Sequence, residues 1–252
     1  MKELKNRLTR ELQQGFNVQI MDTLSWSLPV HSIEVAYETV TKTKMDILMK
    51  MMLIVFQKSE IETVEELSEI LLVEQLFIED LINKMTNAQM IEKTTGIFGL
   101  TAAGSEQLGT GIFEHEPESG TAETLYSPCH QSFLSGDLKN MRYEELEKYR
   151  YQVEFDDWEV TSLEKSSLFT VLKKSGIETE EGNVQLIVSK IISATDRKTT
   201  PVPCIEFRLY NKEEDLMYVR VWNTLTEQWD ETLESQLNEK ERKKWREQYL
   251  KN

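Results

Sequence analysis

The chain has 252 residues, of which 39% are hydrophobic, so it is long enough to bury the cores of two modest domains. Its 44 acidic and 29 basic residues give a formal net charge of -15, and the resulting field should repel nucleic acid and anionic lipid. No apolar run reaches the roughly 18 residues of a membrane span, and the opening segment lacks the core of a signal peptide. We therefore expect a cytoplasmic protein without a membrane contact.

The first 41 residues predict one amphipathic helix and one strand. Leucines recur at positions i, i+4 and i+8 within Lys2–Leu12, which is the spacing of a helix with one apolar face. From Val30 to Val40, β-branched residues alternate with polar ones, which predicts a half-buried strand.

Residues 42–110 carry signals of several short elements. An apolar run from about Lys44 predicts a helix that is buried on most faces. Thr63 and Glu66 have the spacing of a capping box, which starts a second helix, and a third helix follows after a short turn. Two short strands flank the turn at Gly96, and Thr101 is placed to cap a final helix.

This order of elements, followed by Leu100-Thr-Ala-Ala-Gly104, resembles the winged-helix domains of MarR-like regulators, in which a Leu-Thr-x-x-Gly element follows the wing. The resemblance covers about Lys44 to Thr110. It implies a winged helix-turn-helix domain whose third helix would enter the major groove of DNA. Winged helices also serve as protein-binding modules, so the resemblance does not decide the function.

The charges of this region argue against DNA recognition by the third helix. Between Ser59 and Asn83 there are eight acidic residues and no Lys or Arg. Glutamate can accept a hydrogen bond from cytosine, but phosphate binding depends on Lys and Arg, so we expect this surface to repel a duplex.

The outer face of the third helix is instead predicted to bind another protein or a second copy of this chain. Its candidate partner-binding residues are Leu76, Phe77, Glu79, Asp80 and Asn83. The competing interpretation is that Phe77 closes the core and that the acids form only a solvated face.

The remaining residues predict a connector and a second domain. Residues 111–142 combine glycines, prolines and glutamates, as in an acidic linker or arm. Residues 143–252 predict an α+β domain with helices at 143–151, 162–174 and about 227–249, and with strands at 183–192, 203–210 and 216–222. The predicted fold class is α+β: a winged helix-turn-helix domain followed by a small domain with a three-stranded antiparallel sheet and flanking helices.

The predicted sheet offers a second candidate site. Alternation in its last two strands predicts one apolar face and one polar face that could hold an anionic or aromatic ligand. The residues of this candidate ligand face are Arg208, Tyr210, Tyr218, Arg220 and Trp222. The alternative is that these side chains pair with nearby glutamates or with a covering helix.

Signatures of catalysis are missing from the sequence. No phosphate-binding, dinucleotide-binding, zinc-protease or serine-hydrolase motif is present, and Cys129 and His130 are neighbours without a recognisable orienting partner. The C-terminal half resembles accessory regions attached to phospholipase-D-like nucleases of bacterial defence islands. The catalytic His-x-Lys signature of those nucleases is absent, because Ile33, Pro117 and Ser132 stand two positions after the three histidines.

We therefore predict a non-catalytic adaptor or accessory subunit of a bacterial assembly, without a cofactor or metal. One alternative is a DNA-binding regulator that uses cationic residues outside the third helix. These residues are Lys2, Lys5, Arg7 and Arg10 together with Lys42 and Lys44. A second alternative is a metal-dependent enzyme with a dispersed carboxylate site.

Overall fold

The computed structural model describes residues 1–14, 17–138 and 145–250. The α-helices of these ranges are α1 (Lys2–Leu12), α2 (Ile47–Lys58), α3 (Val64–Leu71), α4 (Gln75–Asn87), α5 (Ala102–Thr110), α6 (Lys165–Lys174) and α7 (Glu231–Leu250). The strands are β1 (Val18–Lys44), β2 (Ile91–Thr94), β3 (Ile97–Leu100), β4 (Ile112–Glu114), β5 (Glu118–Ser127), β6 (Ser132–Leu134), β7 (Thr179–Glu181), β8 (Val184–Asn211), β9 (Leu216–Asn223) and β10 (Gln228–Trp229).

The chain divides into two compact units. Unit 1 consists of Met1–Val35, Glu123–Leu163 and Ala194–Asn252, and unit 2 consists of Ala36–Ala122 and Glu164–Ser193. The long strands β1 and β8 supply residues to both units.

An antiparallel sheet dominates this α+β fold. Among the described residues it has eight strands, with the order β10-β9-β8-β1-β5-β6, while β4 pairs with β1 and β7 pairs with β8. Strands β2 and β3 form a separate hairpin. The prediction of a winged helix-turn-helix domain followed by a domain with its own three-stranded sheet is therefore wrong.

The error arises because strand pairing joins segments that look separate in the sequence. The runs 183–192 and 203–210 belong to the single strand β8, and the run 30–40 is part of β1. Pro201 and Pro203 interrupt the sequence pattern of β8, but the pairing with β9 begins only at Cys204, so neither proline has to donate a hydrogen bond to β9. The stretch 111–142, predicted to be an acidic linker or arm, contains β4, β5 and β6, while its residues 139–142 lie outside the described ranges.

Unit 1 has apolar cores on two faces of β8 and β9. One core packs α7 against β9 and also includes Trp26 and Tyr149. The other core packs Leu8 of α1 against Ile205, Phe207 and Leu209 of β8. The paired parts of β8 and β9 are therefore covered on both faces, whereas the sequence predicts a sheet with one apolar face and one polar face.

Residues 145–151 do not form the helix predicted at 143–151, of which residues 143 and 144 lie outside the described ranges. Lys148 instead forms a bridge with Ser27 of β1, and residues 150 and 151 form a turn. The backbone N–H of Ser27 donates to Glu147 O at 2.8 Å, and Tyr149 N–H donates to Ser27 O at 2.8 Å. The Tyr149 ring is buried beside the Trp26 ring, with centroids 4.7 Å apart. Tertiary packing therefore overrides the helical propensity of the segment.

Unit 2 has its own core, made by α2 to α5 and the β2–β3 hairpin. Buried residues of α2, α3 and α4 meet in this core. Ile47 and Met51 of α2 are 70% and 43% exposed, which corrects the expectation that this helix is buried on most faces. One face of α2 fills the core, and the opposite face meets solvent.

Candidate functional site

Helix α3, which precedes the α3–α4 turn, has a capped N-terminus. The Thr63 hydroxyl oxygen accepts a hydrogen bond from the Glu66 backbone N–H at 3.2 Å, and a Glu66 carboxylate oxygen accepts one from the Thr63 N–H at 3.4 Å. This reciprocal pair confirms the predicted capping box. The start of α3 is therefore fixed by local hydrogen bonds.

The end of α3 is unusual because a leucine occupies a left-handed position. Leu72 has φ 55° and ψ 43°, a conformation that glycine or asparagine usually adopts at the end of a helix. The side chain of Leu72 is 90% exposed. A left-handed conformation costs a leucine roughly 1–2 kcal/mol, and no burial of the side chain offsets this cost.

The turn holds this conformation through Ser68. The Ser68 hydroxyl donates to Val73 O at 2.7 Å, and the backbone N–H of Val73 donates to Ser68 O at 3.3 Å. The backbone N–H of Leu72 also donates to Ser68 O. These bonds fix the direction in which Leu72 leaves the helix.

Large apolar side chains are exposed on both sides of this turn. Ile70 at the end of α3 is 53% exposed, while Leu76 and Phe77 in the first turn of α4 are 74% and 60% exposed. Exposed apolar groups that occur close together often mark contact surfaces. We call this region the α3–α4 surface, which comprises Glu69, Ile70, Leu72, Glu74, Leu76, Phe77, Glu79, Asp80 and Asn83.

The residues predicted to bind a partner lie on this surface. Leu76, Glu79, Asp80 and Asn83 recur at helical spacing and are all exposed, on the side of α4 away from the buried Ile78, Ile82 and Met85. The exposure of Phe77 shows that its ring does not close the core. Sequence reasoning missed Ile70 and Leu72. A signal was present, because the helix that ends at Leu71 is followed by a leucine and not by the Gly or Asn that usually ends a helix.

The α3–α4 surface is strongly acidic. All eight acids between residues 59 and 83 are exposed. Asp80 pairs with Lys84 at 2.7 Å, but both side chains are about 60% exposed, so the pair adds little stability. The Lys93 ammonium in the hairpin donates to Glu62 O at 2.8 Å and lies 4.4 Å from the centre of the Phe98 ring.

The candidate ligand face of the sheet is divided by strand register. Phe207 pairs with Arg220 and Arg208 pairs with Val219, and residues paired directly across two strands point to the same face. Arg208 and Tyr210 therefore lie on one face, while Tyr218, Arg220 and Trp222 lie on the other. The structure does not bring these five residues together.

The two arginines of this set also have internal partners. Arg208 bonds to Glu206 at 3.0 Å and to the Tyr249 hydroxyl at 3.2 Å. Arg220 bonds to Glu234 at 2.9 Å and lies 4.5 Å from the centre of the Trp229 ring. These contacts match the alternative interpretation, in which the polar residues pair with glutamates and with the covering helix.

A Ser-His-Asp arrangement is present in unit 1. The Ser127 Oγ lies 2.8 Å from His130 Nδ1, and His130 Nε2 lies 2.8 Å from a carboxylate oxygen of Asp230. Ser127 is fully buried, so a substrate cannot reach its hydroxyl. Asp230 also accepts from the Leu233 N–H at the start of α7, which gives the arrangement a role in helix capping.

The ionisation of neighbouring groups agrees with a structural role. Burial would raise the pKa of Asp230, but its interactions with His130, Asn223 and Leu233 hold the pKa of this carboxyl below its usual value. Burial raises the pKa of the Cys129 thiol to about 12. A thiol with so high a pKa is protonated at neutral pH and is a poor nucleophile.

The cations proposed for an alternative DNA-binding surface have different environments. Lys5 donates to Thr23 O at 3.4 Å, and the Arg7 guanidinium lies 5.7 Å from the centre of the Trp222 ring. Lys42 pairs with Glu114 at 2.5 Å. Arg7 and Lys5 therefore contact unit 1 itself, and Lys42 is partly neutralised within unit 2.

The described ranges offer no ready metal site. Within them, no three His, Cys, Asp or Glu side chains are grouped so that they could hold a metal ion. No helix in these ranges combines the length and the apolar character that crossing a bilayer requires.

Comparison with known proteins gives no match to a protein family, to a curated protein or to a solved structure.

Proposed function

We propose that this chain is a non-catalytic adaptor or accessory subunit that binds a partner protein through the α3–α4 surface. The observation that carries this proposal is Leu72, a leucine that is 90% exposed and held in a left-handed conformation. Strained backbone persists where the surrounding structure maintains it, and it is concentrated at functional sites. Here the strain presents an apolar side chain to solvent.

The composition of the surface supports a polypeptide partner. Binding energy at protein interfaces comes mainly from a few large side chains that become desolvated, and Leu72, Leu76 and Phe77 can serve as such anchors. The acids around them favour a partner whose apolar residues are flanked by Lys or Arg. Phosphate groups of a duplex would be repelled by Glu69, Glu74, Glu79 and Asp80 of this surface, of which only Asp80 pairs with a lysine in the described ranges.

The same charge argues against a symmetric dimer through this surface. In a twofold contact, each residue of the surface would face the same surface of the second copy. Glu69, Glu74, Glu79 and Asp80 would then meet one another, and each chain carries a net charge of -15. A basic partner relieves this repulsion, so we propose that the partner is a different protein.

Site-specific photo-cross-linking in the native cell tests this function. A photoreactive residue replaces Phe77 in one variant and Val153 in the control, because Val153 is also apolar and is 76% exposed but lies outside the α3–α4 surface. We expect position 77 to yield a discrete cross-linked protein that position 153 does not yield. The cross-linked peptide of the partner should contain apolar residues next to Lys or Arg.

Two results would refute the proposal. One is the absence of any cross-linked protein at position 77 under conditions in which the protein is folded. The other is a cross-link from position 77 to nucleic acid, because this would show that the surface binds DNA or RNA in spite of its charge.

A further inference from the structure

A groove in unit 2, separate from the α3–α4 surface, brings together three lysines of this acidic chain. It has a volume of about 810 Å³, which is within the range of small-molecule sites. The end of β1, the start of α2, the end of α5 and the β7–β8 turn form its walls. The residues that supply charge or amide groups to its lining are Lys42, Lys44, Asp46, Lys50, Asn183 and Gln185.

Three acids in or beside this groove are already engaged, among them Glu180, whose carboxylate accepts a hydrogen bond from the Gln185 side chain at 3.0 Å. A carboxylate oxygen of Asp46 accepts from the backbone N–H groups of Leu48 at 2.7 Å and Met49 at 3.4 Å, which caps α2. Glu114 pairs with Lys42 at 2.5 Å. Because Asp46 occupies the start of α2, the lysine side chains, rather than the helix terminus, are the groups that can attract an anion.

Two of the lysines remain available. Lys44 and Lys50 are exposed and form no ion pair with any residue in the described ranges. Lys44 ends β1, and Lys50 lies one turn into α2, so two different elements place their ammonium groups along the same groove. Asn183, in the β7–β8 turn, adds an amide that can donate a hydrogen bond.

From this arrangement we propose that the groove binds a compact phosphorylated compound with two or more phosphate groups. Ammonium groups bind phosphate oxygens through charge-assisted hydrogen bonds. Nucleic-acid binding proteins can neutralise about 6–10 phosphates, whereas this groove offers two unpaired lysines and Lys42, which is paired with Glu114. A net charge of -15 also repels a long polyanion, whereas a small anion meets mainly the local lysines. This site is independent of the proposed adaptor function.

Calorimetric titration at low ionic strength tests the proposal with pyrophosphate, tripolyphosphate and a short single-stranded oligonucleotide. We expect tripolyphosphate to bind, and the double variant Lys44→Ala with Lys50→Ala to weaken its affinity by about tenfold or more. The control combines Lys58→Ala with Lys174→Ala, which removes the same charge from exposed positions of unit 2 outside the groove. We expect the control to change the affinity by less than about twofold.

A second readout separates local binding from a general charge effect. Titration of isotope-labelled protein with tripolyphosphate should shift the NMR signals of the Gly182 amide and the Asn183 side chain, because both residues line the groove. Absence of binding by the wild-type protein, or equal weakening in the control, would overturn the assignment. Tighter binding of the oligonucleotide that depends on Lys44 and Lys50 would overturn it in favour of a nucleic-acid site.

Discussion

Arg150 links several buried charges in unit 1. Its guanidinium donates to Glu206 at 2.7 and 3.1 Å and also to Glu241. Trp26 donates a further hydrogen bond to Glu206 at 2.8 Å, and Trp245 donates to Glu241 at 3.1 Å. Burial would lower the pKa of Arg150, but its bonds to the two glutamates raise this pKa above the ordinary value. The guanidinium therefore remains charged at every accessible pH.

We expect Arg150→Met to lower the free energy of unfolding by about 3 kcal/mol, because it leaves the fully buried Glu206 with one fewer cation. Arg246→Met is the matched control, since Arg246 pairs with Asp215 on the surface and should contribute less than about 1 kcal/mol. Urea denaturation of the two variants measures both values. Equal losses in the two variants would show that the buried network contributes no more than a surface pair.

Individual helices follow local signals closely. The leucine spacing predicts α1 over Lys2–Leu12, the range that the structure shows, and the capping residues Thr63 and Thr101 precede α3 and α5 as predicted. These signals work because a cap satisfies backbone groups within the same few residues. In the described part of the segment 143–151, Lys148 instead forms a bridge with Ser27 of β1, and Tyr149 packs on Trp26.

The Leu-Thr-Ala-Ala-Gly element has a physical explanation in the contact between the start of α5 and the segment that joins α4 to β2. The Thr101 hydroxyl donates to Gln89 O at 2.6 Å and accepts from the Gly104 N–H at 3.0 Å. A β-carbon on Gly104 would lie 2.0 Å from the Met90 carbonyl oxygen, a distance at which the backbone must move. The absence of a side chain at Gly104 therefore allows the first turn of α5 to pack directly against the backbone of Met90.

Gly104→Ala should lower the free energy of unfolding by about 3 kcal/mol, because the added methyl group overlaps the backbone of Met90. Gly109→Ala in the same helix is the control, since no atom lies within 4 Å of the position that a β-carbon would take there. We expect this control to stabilise the protein by up to about 1 kcal/mol, as alanine favours the helix. Thermal and chemical denaturation distinguish the two effects, and similar destabilisation by both substitutions would contradict the packing explanation.

At the scale of the whole molecule, long-range strand pairing limited what the sequence could predict. The polar run Glu118–Ser127 has the composition of a linker, yet it forms β5 beside β1, which comes more than 70 residues earlier in the chain. Register had a similar effect: alternation suggested one shared face for Arg208 and Arg220, but the pairing of β8 with β9 places them on opposite faces. A shift of the strand register by one residue moves every side chain of that strand to the opposite face of the sheet.

The candidate site was more accessible to sequence reasoning than the sheet. Its acidic charge follows directly from composition, and the exposure of Leu76, Glu79, Asp80 and Asn83 follows from the helical period of α4. The positions of Ile70 and Leu72 depend on where α3 ends and on the backbone angle at that end. Propensity gives little information about a leucine in a left-handed conformation, because leucine rarely adopts it.

The most direct test of the adaptor function measures stability and binding together for Leu72→Asn. Asparagine tolerates the left-handed conformation, so we expect the free energy of unfolding to stay the same or rise by about 1 kcal/mol. Binding to the protein cross-linked through position 77 should weaken by about tenfold or more, because the exposed apolar anchor is lost. An unchanged affinity of the folded variant for that partner would contradict the account.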